Sequence, residues 1–238
     1  MELIPCADRT ALARRAAEAV VARVRARPTL AMAMPAGRTP RGMYAELREL
    51  HRRGHVDFSR MRVFAVDELC PPAPPEGYFW RQLTREFLSW AQIPAAQCTR
   101  FRVEALDLAA MCGEYEAAIA GGGGLDVVML GLGWNGHIAS NEPGAPFDSA
   151  TRPVRLLPET VRYILTDEVR PGATSEAAVT LGVGTIMAAR EVIMLVSGAA
   201  KRAPLEAVRT GPVTPAVPAS ILRTHPRCLV LADREALG

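Results

Sequence analysis

The sequence predicts an α/β fold: a single-domain, Rossmann-like three-layer sandwich with a mostly parallel central sheet and a small flap. Three observations predict it. Short apolar runs alternate along the chain with stretches of helical periodicity, the pattern of a parallel sheet with helices on both faces. Several of those runs are apolar at successive positions, as strands buried on both sides are. The 238 residues, 49% of them apolar, suffice for one full core, and they contain no internal repeat and no linker long enough to divide domains.

The elements follow in order. The Arg- and Ala-rich stretch Asp8–Arg27 reads as a core helix; Glu2, Asp8 and Glu18 argue against an organelle presequence. Leu30–Met34 is the first clear strand, with Met32 and Met34 as core filling. Helices are predicted at Pro40–Arg53, Tyr78–Trp90, Asp107–Ala120, Ala199–Arg209 and Pro215–Leu222. Further strands are predicted at Arg62–Val66, Asp126–Leu130, Val154–Leu157, Val192–Val196 and Cys228–Leu231. Pro71–Pro75 stiffens a surface loop, and Gly121–Gly124 is a loop before a strand. Residues 158–177 carry Pro and Gly with weak periodicity, which predicts a mobile flap.

Composition narrows the function. A net charge of +3 suits an anionic metabolite but is no nucleic-acid footprint, and no basic block appears. No run of 18 apolar residues exists to form a membrane helix. The cysteines at 6, 70, 98, 112 and 228 are odd in number and form no CxxC pair, so reduced thiols in a cytoplasmic protein are the simple reading. Of the 28 basic residues other than histidine, only Lys201 is lysine. Chance is one explanation; the other is a need for a compact point charge, as at many phosphate sites.

Reactive groups gather where parallel strands end. After Asp126–Leu130 comes Gly131-Leu-Gly-Trp-Asn-Gly-His-Ile-Ala-Ser-Asn-Glu-Pro143, which sets an imidazole, a carboxylate and two carboxamides on a glycine turn. A histidine trades protons near neutral pH, and a carboxylate can orient it. The same stretch matches a dinucleotide fingerprint, GxGxxG, but Pro143 interrupts the helix that motif needs and no acid ends a second strand. After Leu30–Met34, Gly37, Arg38, Thr39 and Pro40 form a strand-to-helix turn. Thr39 can cap the helix, and its free amides attract phosphate; an ordinary turn is the alternative. After Arg62–Val66, Asp67-Glu68 offers a carboxylate that could take a proton from carbon if partly desolvated; a helix cap or a surface ion pair are the alternatives. After Val192–Val196, Lys201 stands near a helix start. His51-x-x-x-His55 has ligand spacing, but Gly54 and the missing glutamate favour a solvated face. No GxSxG elbow, Walker loop or paired cysteine ligand site appears.

With these strings in hand, the chain resembles the glucosamine-6-phosphate deaminase family, which shares its fold with 6-phosphogluconolactonases. The resemblance runs through PAGRTP at 35–40, VDEL at 66–69, GLGWNGHIASNEP at 131–143, AVTLGVGTIMAAREVIMLVSGAAK at 178–201 and HP at 225–226. The Asn-Glu-Pro ending, which the lactonase branch lacks, favours the deaminases. The resemblance implies a metal-free, cofactor-free conversion of glucosamine 6-phosphate and water to fructose 6-phosphate and ammonia. It implies that Asp67 shuttles a proton between C2 and C1, and that His137, oriented by Glu142 and Asn135, protonates the ring oxygen. Gly37, Arg38, Thr39 and Lys201 would hold the phosphate. Galactosamine 6-phosphate, 6-phosphogluconolactone and a non-catalytic sugar-phosphate sensor are the alternatives, and a homo-oligomer is one outcome for assembly. The chain departs from the pattern at Asn135, where many relatives have Asp, and at Leu69, where tyrosine is usual. Trp134 adds bulk beside the presumed sugar site. The flap arginine of the family falls on Leu165, with Arg162 and Arg170 nearby.

Overall fold

The computed structural model of the chain describes all residues except 72, 73, 75 and 166–174, and only the backbone of Leu165. The central sheet is built from β1 (Glu2–Cys6), β2 (Ala31–Met34), β3 (Arg62–Ala65), β5 (Cys98–Thr99), β6 (Val127–Gly131), β9 (Glu191–Val196) and β10 (Cys228–Asp233). Their order across the sheet is β1-β10-β9-β6-β2-β3-β5. Every neighbouring pair in it is parallel.

Strand periodicity divides the core in two. Ala31, Ala33, Val128 and Leu130 point into one cluster, while Met32, Met34, Val127 and Met129 point into the other. The second cluster is closed by α1 (Arg9–Ala26) and α2 (Arg41–Arg52), which supply Leu12, Val20, Met43 and Leu47. The first is closed by α5 (Leu108–Gly121) and α7 (Arg202–Thr210), through Met111, Tyr115, Leu205 and Val208. Each large apolar side chain so buried contributes about 1.5–3 kcal/mol, which is why the runs of apolar residues settle as central strands. Met32 and Met34 are core filling, as the sequence predicts.

Two devices position the site. From β2 the chain moves outward through β3 to β5; from β6 it moves the other way, through β9 to β10. Because β2 and β6 are neighbours, the loops leaving their carboxyl ends diverge and open a crevice, the usual ligand site of such sheets. Second, only Val66 separates β3 from β4 (Asp67–Leu69), which leaves the main sheet. It joins a small antiparallel sheet of order β4-β8-β7, with β7 at Arg152–Arg155 and β8 at Ala177–Thr180. Asp67 is thereby carried to the carboxyl edge, opposite Thr180 in the ladder.

Several sequence expectations are corrected here. The strand expected at 154–157 forms at 152–155 and belongs to the antiparallel sheet. β1 is an edge strand containing Pro5, β4 is short and acidic, and β5 has two residues, so none shows an apolar run. Of the predicted flap, Pro158–Leu165 forms a helix, α6, and Ala177 begins β8, while residues 166–174 lie outside the described part. The helix predicted over 78–90 is interrupted. α3 (Tyr78–Leu83) and the short α4 (Ser89–Ala91) flank a π-helical turn at Thr84–Leu88. The segment 215–222 is a 3₁₀ turn over Pro218–Thr224 rather than an α-helix. His51 is not solvated as expected. Its Nδ1 lies 2.9 Å from the Val56 carbonyl oxygen, and its ring packs among Phe58 and Trp90.

Candidate active site

The loop after β6 folds back on itself. The Gly133 amide donates to the His137 carbonyl at 2.8 Å, and the Asn141 amide donates to that of Ile138 at 3.0 Å. This turn lays the imidazole across Gly133. A Cβ placed there would stand 2.3 Å from the His137 ring, so residue 133 must lack one. No long helix follows, and the glycines serve the tight turn rather than a nucleotide cradle.

Behind His137 lies a chain of polar contacts. Asn135 donates Nδ2–H to Glu142 Oε2 at 2.9 Å, because a carboxylate can only accept. The amide oxygen is then turned to His137, where it meets Nδ1 at 2.8 Å. That contact requires a proton on Nδ1 and leaves Nε2 as the second ring nitrogen, available for proton transfer. Glu142 Oε2 is itself 3.5 Å from His137 Nδ1. Burial opposes ionisation of Glu142, but the neighbouring His137 and Thr160 side chains and the hydrogen bond from Asn135 hold its carboxyl down at about 2. The negative charge that Asn135 cannot supply thus reaches the imidazole from Glu142.

Asp67 stands on another wall of the cleft, accepting a hydrogen bond from the Ser140 hydroxyl at 2.7 Å. Its surroundings withdraw solvation and push its pKa up to about 6, against the lowering influence of Ser140 and His137. That is the range of a carboxylate working as a base near neutrality. Glu68 has a different task. Its buried carboxylate accepts from the amides of Leu69, Tyr78, Phe79 and Trp80 at 2.8–3.0 Å, capping α3 from outside the helix. The helix-cap alternative is therefore right for Glu68, while Asp67 remains with the cleft.

The opposite end of the cleft is cationic. Gly37, at φ +123°, is pinned by Gln82, whose side chain accepts from its amide at 3.2 Å and donates to its carbonyl at 2.9 Å. Arg38 and Lys201 both lie over the ring of Tyr163 on α6, at 4.8 and 5.2 Å from its centre. Burial, with the charge of Arg38, depresses Lys201 to about 8. The loop carrying Lys201 is held by Asp233, which accepts from the Gly198 amide at 3.0 Å and from the Ser197 hydroxyl at 2.5 Å.

One cleft unites these groups: Gly37, Arg38, Thr39, Asp67, His137 and Lys201 all line it. Asn135 and Glu142 stand behind His137 rather than on the wall. Trp134 does not line it; its side chain turns to solvent, correcting the expectation of bulk at the sugar. Arg162 reaches Glu159 on the exposed side of α6 at 3.7 Å, and Arg170 lies outside the described residues. Ser140, Thr180, Gln82 and Tyr163 are participants that sequence reasoning missed. Ser140 at least lay inside the 131–143 string; Gln82 and Tyr163 carry no local signal. Among the described residues no cluster of three His, Cys, Asp or Glu side chains could hold a metal ion, and no helix is long and apolar enough to cross a membrane. All five cysteines are free.

A doubly wound α/β protein with an acid, an imidazole and a cationic anchor at its switch point defines a class, that of enzymes acting on small anionic substrates. The family is more specific. Residues 7–230 match the model of the glucosamine-6-phosphate isomerases/6-phosphogluconolactonases, and the chain belongs to that family. It is 36% identical to a glucosamine-6-phosphate deaminase of Pseudarthrobacter chlorophenolicus, with 99% of this chain and 91% of the relative covered. It is 34% identical to one from Halothermothrix orenii, with 94% of each covered. Among solved structures, a monomeric glucosamine-6-phosphate deaminase superposes with a TM-score of 0.91 at 28% identity, covering 99% of this chain and 98% of that one. The 6-phosphogluconolactonase of Trypanosoma brucei superposes at 0.76 with 24% identity over 99% and 97%, a likeness of fold.

Proposed function

We propose that this chain is a cytoplasmic, one-domain enzyme that isomerises and deaminates glucosamine 6-phosphate, giving fructose 6-phosphate and ammonia without a cofactor. The observation that carries the reading is the meeting of Asp67, His137 and Lys201 in one cleft, with Glu142 behind the imidazole. Support comes also from the full-length relatives named as deaminases.

Each group then has one task. The turn at Gly37, with the Arg38 and Thr39 amides, the Arg38 side chain and Lys201, anchors the phosphate, and Tyr163 leaves the two cations as the dianion arrives. His137 Nε2 relays the proton of the C1 hydroxyl to the ring oxygen as the C1–O5 bond breaks, giving the open-chain aldehyde. Asp67 removes the C2 proton and returns it to C1 while one ammonium proton passes to O1, so the enolamine formed on the way becomes an iminium at C2 beside a C1 hydroxyl. Water adds at C2, and ammonia departs as the ketone forms. Glu142, through Asn135 and from its own place beside Nδ1, holds the imidazole in the orientation that ring opening needs.

Incubation with glucosamine 6-phosphate is expected to release ammonia and fructose 6-phosphate in equal amounts. Turnover of galactosamine 6-phosphate alone would overturn the substrate and leave the chemistry standing. Hydrolysis of 6-phosphogluconolactone, with no turnover of either hexosamine phosphate, would overturn the reading.

The cleft also sets a pH profile. Asp67 is a base only when ionised, so kcat/KM should rise as pH passes about 6. Lys201 attracts phosphate only when protonated, so kcat/KM should fall as pH passes about 8. Lys201→Met should raise KM about 10- to 100-fold, leave kcat within about threefold, and remove the alkaline limb. Steady-state kinetics of wild type and Lys201→Met from pH 5 to 9.5 check the profile and the variant.

A further inference from the structure

Ser140 is buried, and its hydroxyl is the only group among the described residues that hydrogen-bonds the Asp67 carboxylate, meeting Oδ2 at 2.7 Å. Three features of the backbone aim it there. Ala139 takes a left-handed conformation, φ +51°, uncommon for a residue with a Cβ. The Ser140 amide donates to Thr180 Oγ1 at 3.1 Å, and Thr180 is the ladder partner of Asp67 across β4 and β8. The turn is closed by the Ile138–Asn141 bridge, with Asn141 Nδ2 donating to the carbonyls of Ile138 and Leu181 at 3.1 and 2.8 Å. A strained backbone held from two sides, delivering one hydroxyl to one carboxylate oxygen, is more than packing requires.

We infer that Ser140 is a positioning residue for the Asp67 base: it occupies Oδ2, fixes the carboxylate plane, and leaves Oδ1 as the single oxygen free to exchange a proton with substrate carbon. Its hydroxyl also favours the ionised carboxylate, which keeps a desolvated base from being protonated at neutral pH. The kinetic form of this inference rests on the deaminase reading above. Among the described residues, the titratable or charged groups that face Asp67 are Glu68 on its own strand and His137 on the loop after β6; Tyr163 on α6, Arg38 and Lys201 line the same cleft, and Arg152 on β7 shares with Asp67 the ladder partner Thr180. A change at Ser140 leaves all of them in place.

The test has a substrate-free arm and a kinetic arm. In ¹³C NMR of protein labelled at aspartate carboxyls, Ser140→Ala should titrate Asp67 about one pH unit higher than wild type. In kinetics, the same variant should move the acid limb of kcat/KM upward and lower kcat about tenfold, with KM unchanged. Ser140→Thr, which keeps the hydroxyl, should restore both. The phosphate ester ionises near pH 6 in every case, so the difference between variants, not the limb itself, reads Asp67. An unmoved Asp67 titration in a folded Ser140→Ala protein would overturn the inference whatever the substrate. Absence of ammonia release from wild type, with the NMR shift present, would overturn the deaminase reading alone. Equal losses in the Ala and Thr variants would reduce Ser140 to packing and also overturn the inference.

Discussion

Asp67→Asn is expected to lower kcat for deamination of glucosamine 6-phosphate about 100- to 10,000-fold while KM changes by less than about threefold. The amide is isosteric, and its oxygen still accepts from Ser140, so the β4 backbone and the cleft wall keep their shape. What disappears is the lone pair able to take hydrogen from C2. Glu68 cannot stand in for it, although it is the next residue. It points away on the strand, and its oxygens hold four backbone amides at the start of α3. The proposed phosphate anchor at Lys201 is untouched, which is why binding should persist. A direct measurement of the lost step is solvent deuterium entering C1 of fructose 6-phosphate, slowed in the variant in proportion to kcat. A variant that kept wild-type turnover would remove Asp67 from the chemistry and with it the proton shuttle.

The order of the chemistry along the chain was legible because strand ends are local features. Gly37-Arg38-Thr39, Asp67, the 131–143 string and Lys201 each follow an apolar run, and periodicity alone locates those runs. Their convergence on one cleft also follows from a parallel sheet, whose strands all end at the same edge. Other features depend on tertiary contacts that leave no local trace. β4 and β8 are strands because they pair with each other, not because Asp67-Glu68-Leu69 favours extended structure. α6 is a helix against weak periodicity, because its apolar side chains pack on the small sheet and over the cleft: Val161 and Ile164 meet Leu69 and Ala178, and Tyr163 meets the two cations. The departure at Asn135 illustrates the difference. By sequence it weakens the support for His137; in space Glu142 sits 3.5 Å from the imidazole and restores the charge. Trp134 shows the reverse, for a neighbour in sequence need not be a neighbour in the cleft.

The second large effect belongs to a residue with no functional group. Gly133→Ala should lower kcat about 100-fold or more and destabilise the protein by about 1–3 kcal/mol, the cost of forcing a group into filled space. The backbone does not oppose alanine here, since Gly133 is not among the positive-φ glycines. The obstacle is the imidazole, with Cδ2 and Cγ of His137 2.3 Å from the new methyl position and Nδ1 at 2.4 Å. The ring must swing away, and in doing so it breaks its contact with Asn135 and loses Glu142 as a neighbour. Nε2 then leaves the position proposed for protonating the ring oxygen, and about an ångström of displacement is enough to cost two orders of magnitude. A double-mutant cycle separates this cause from general damage to the loop. In the background of His137→Ala the methyl meets empty space, so Gly133→Ala should add almost nothing to the denaturation free energy. If the two stability losses instead add, the methyl clashes with the loop backbone, and Gly133 is not reserved for the imidazole.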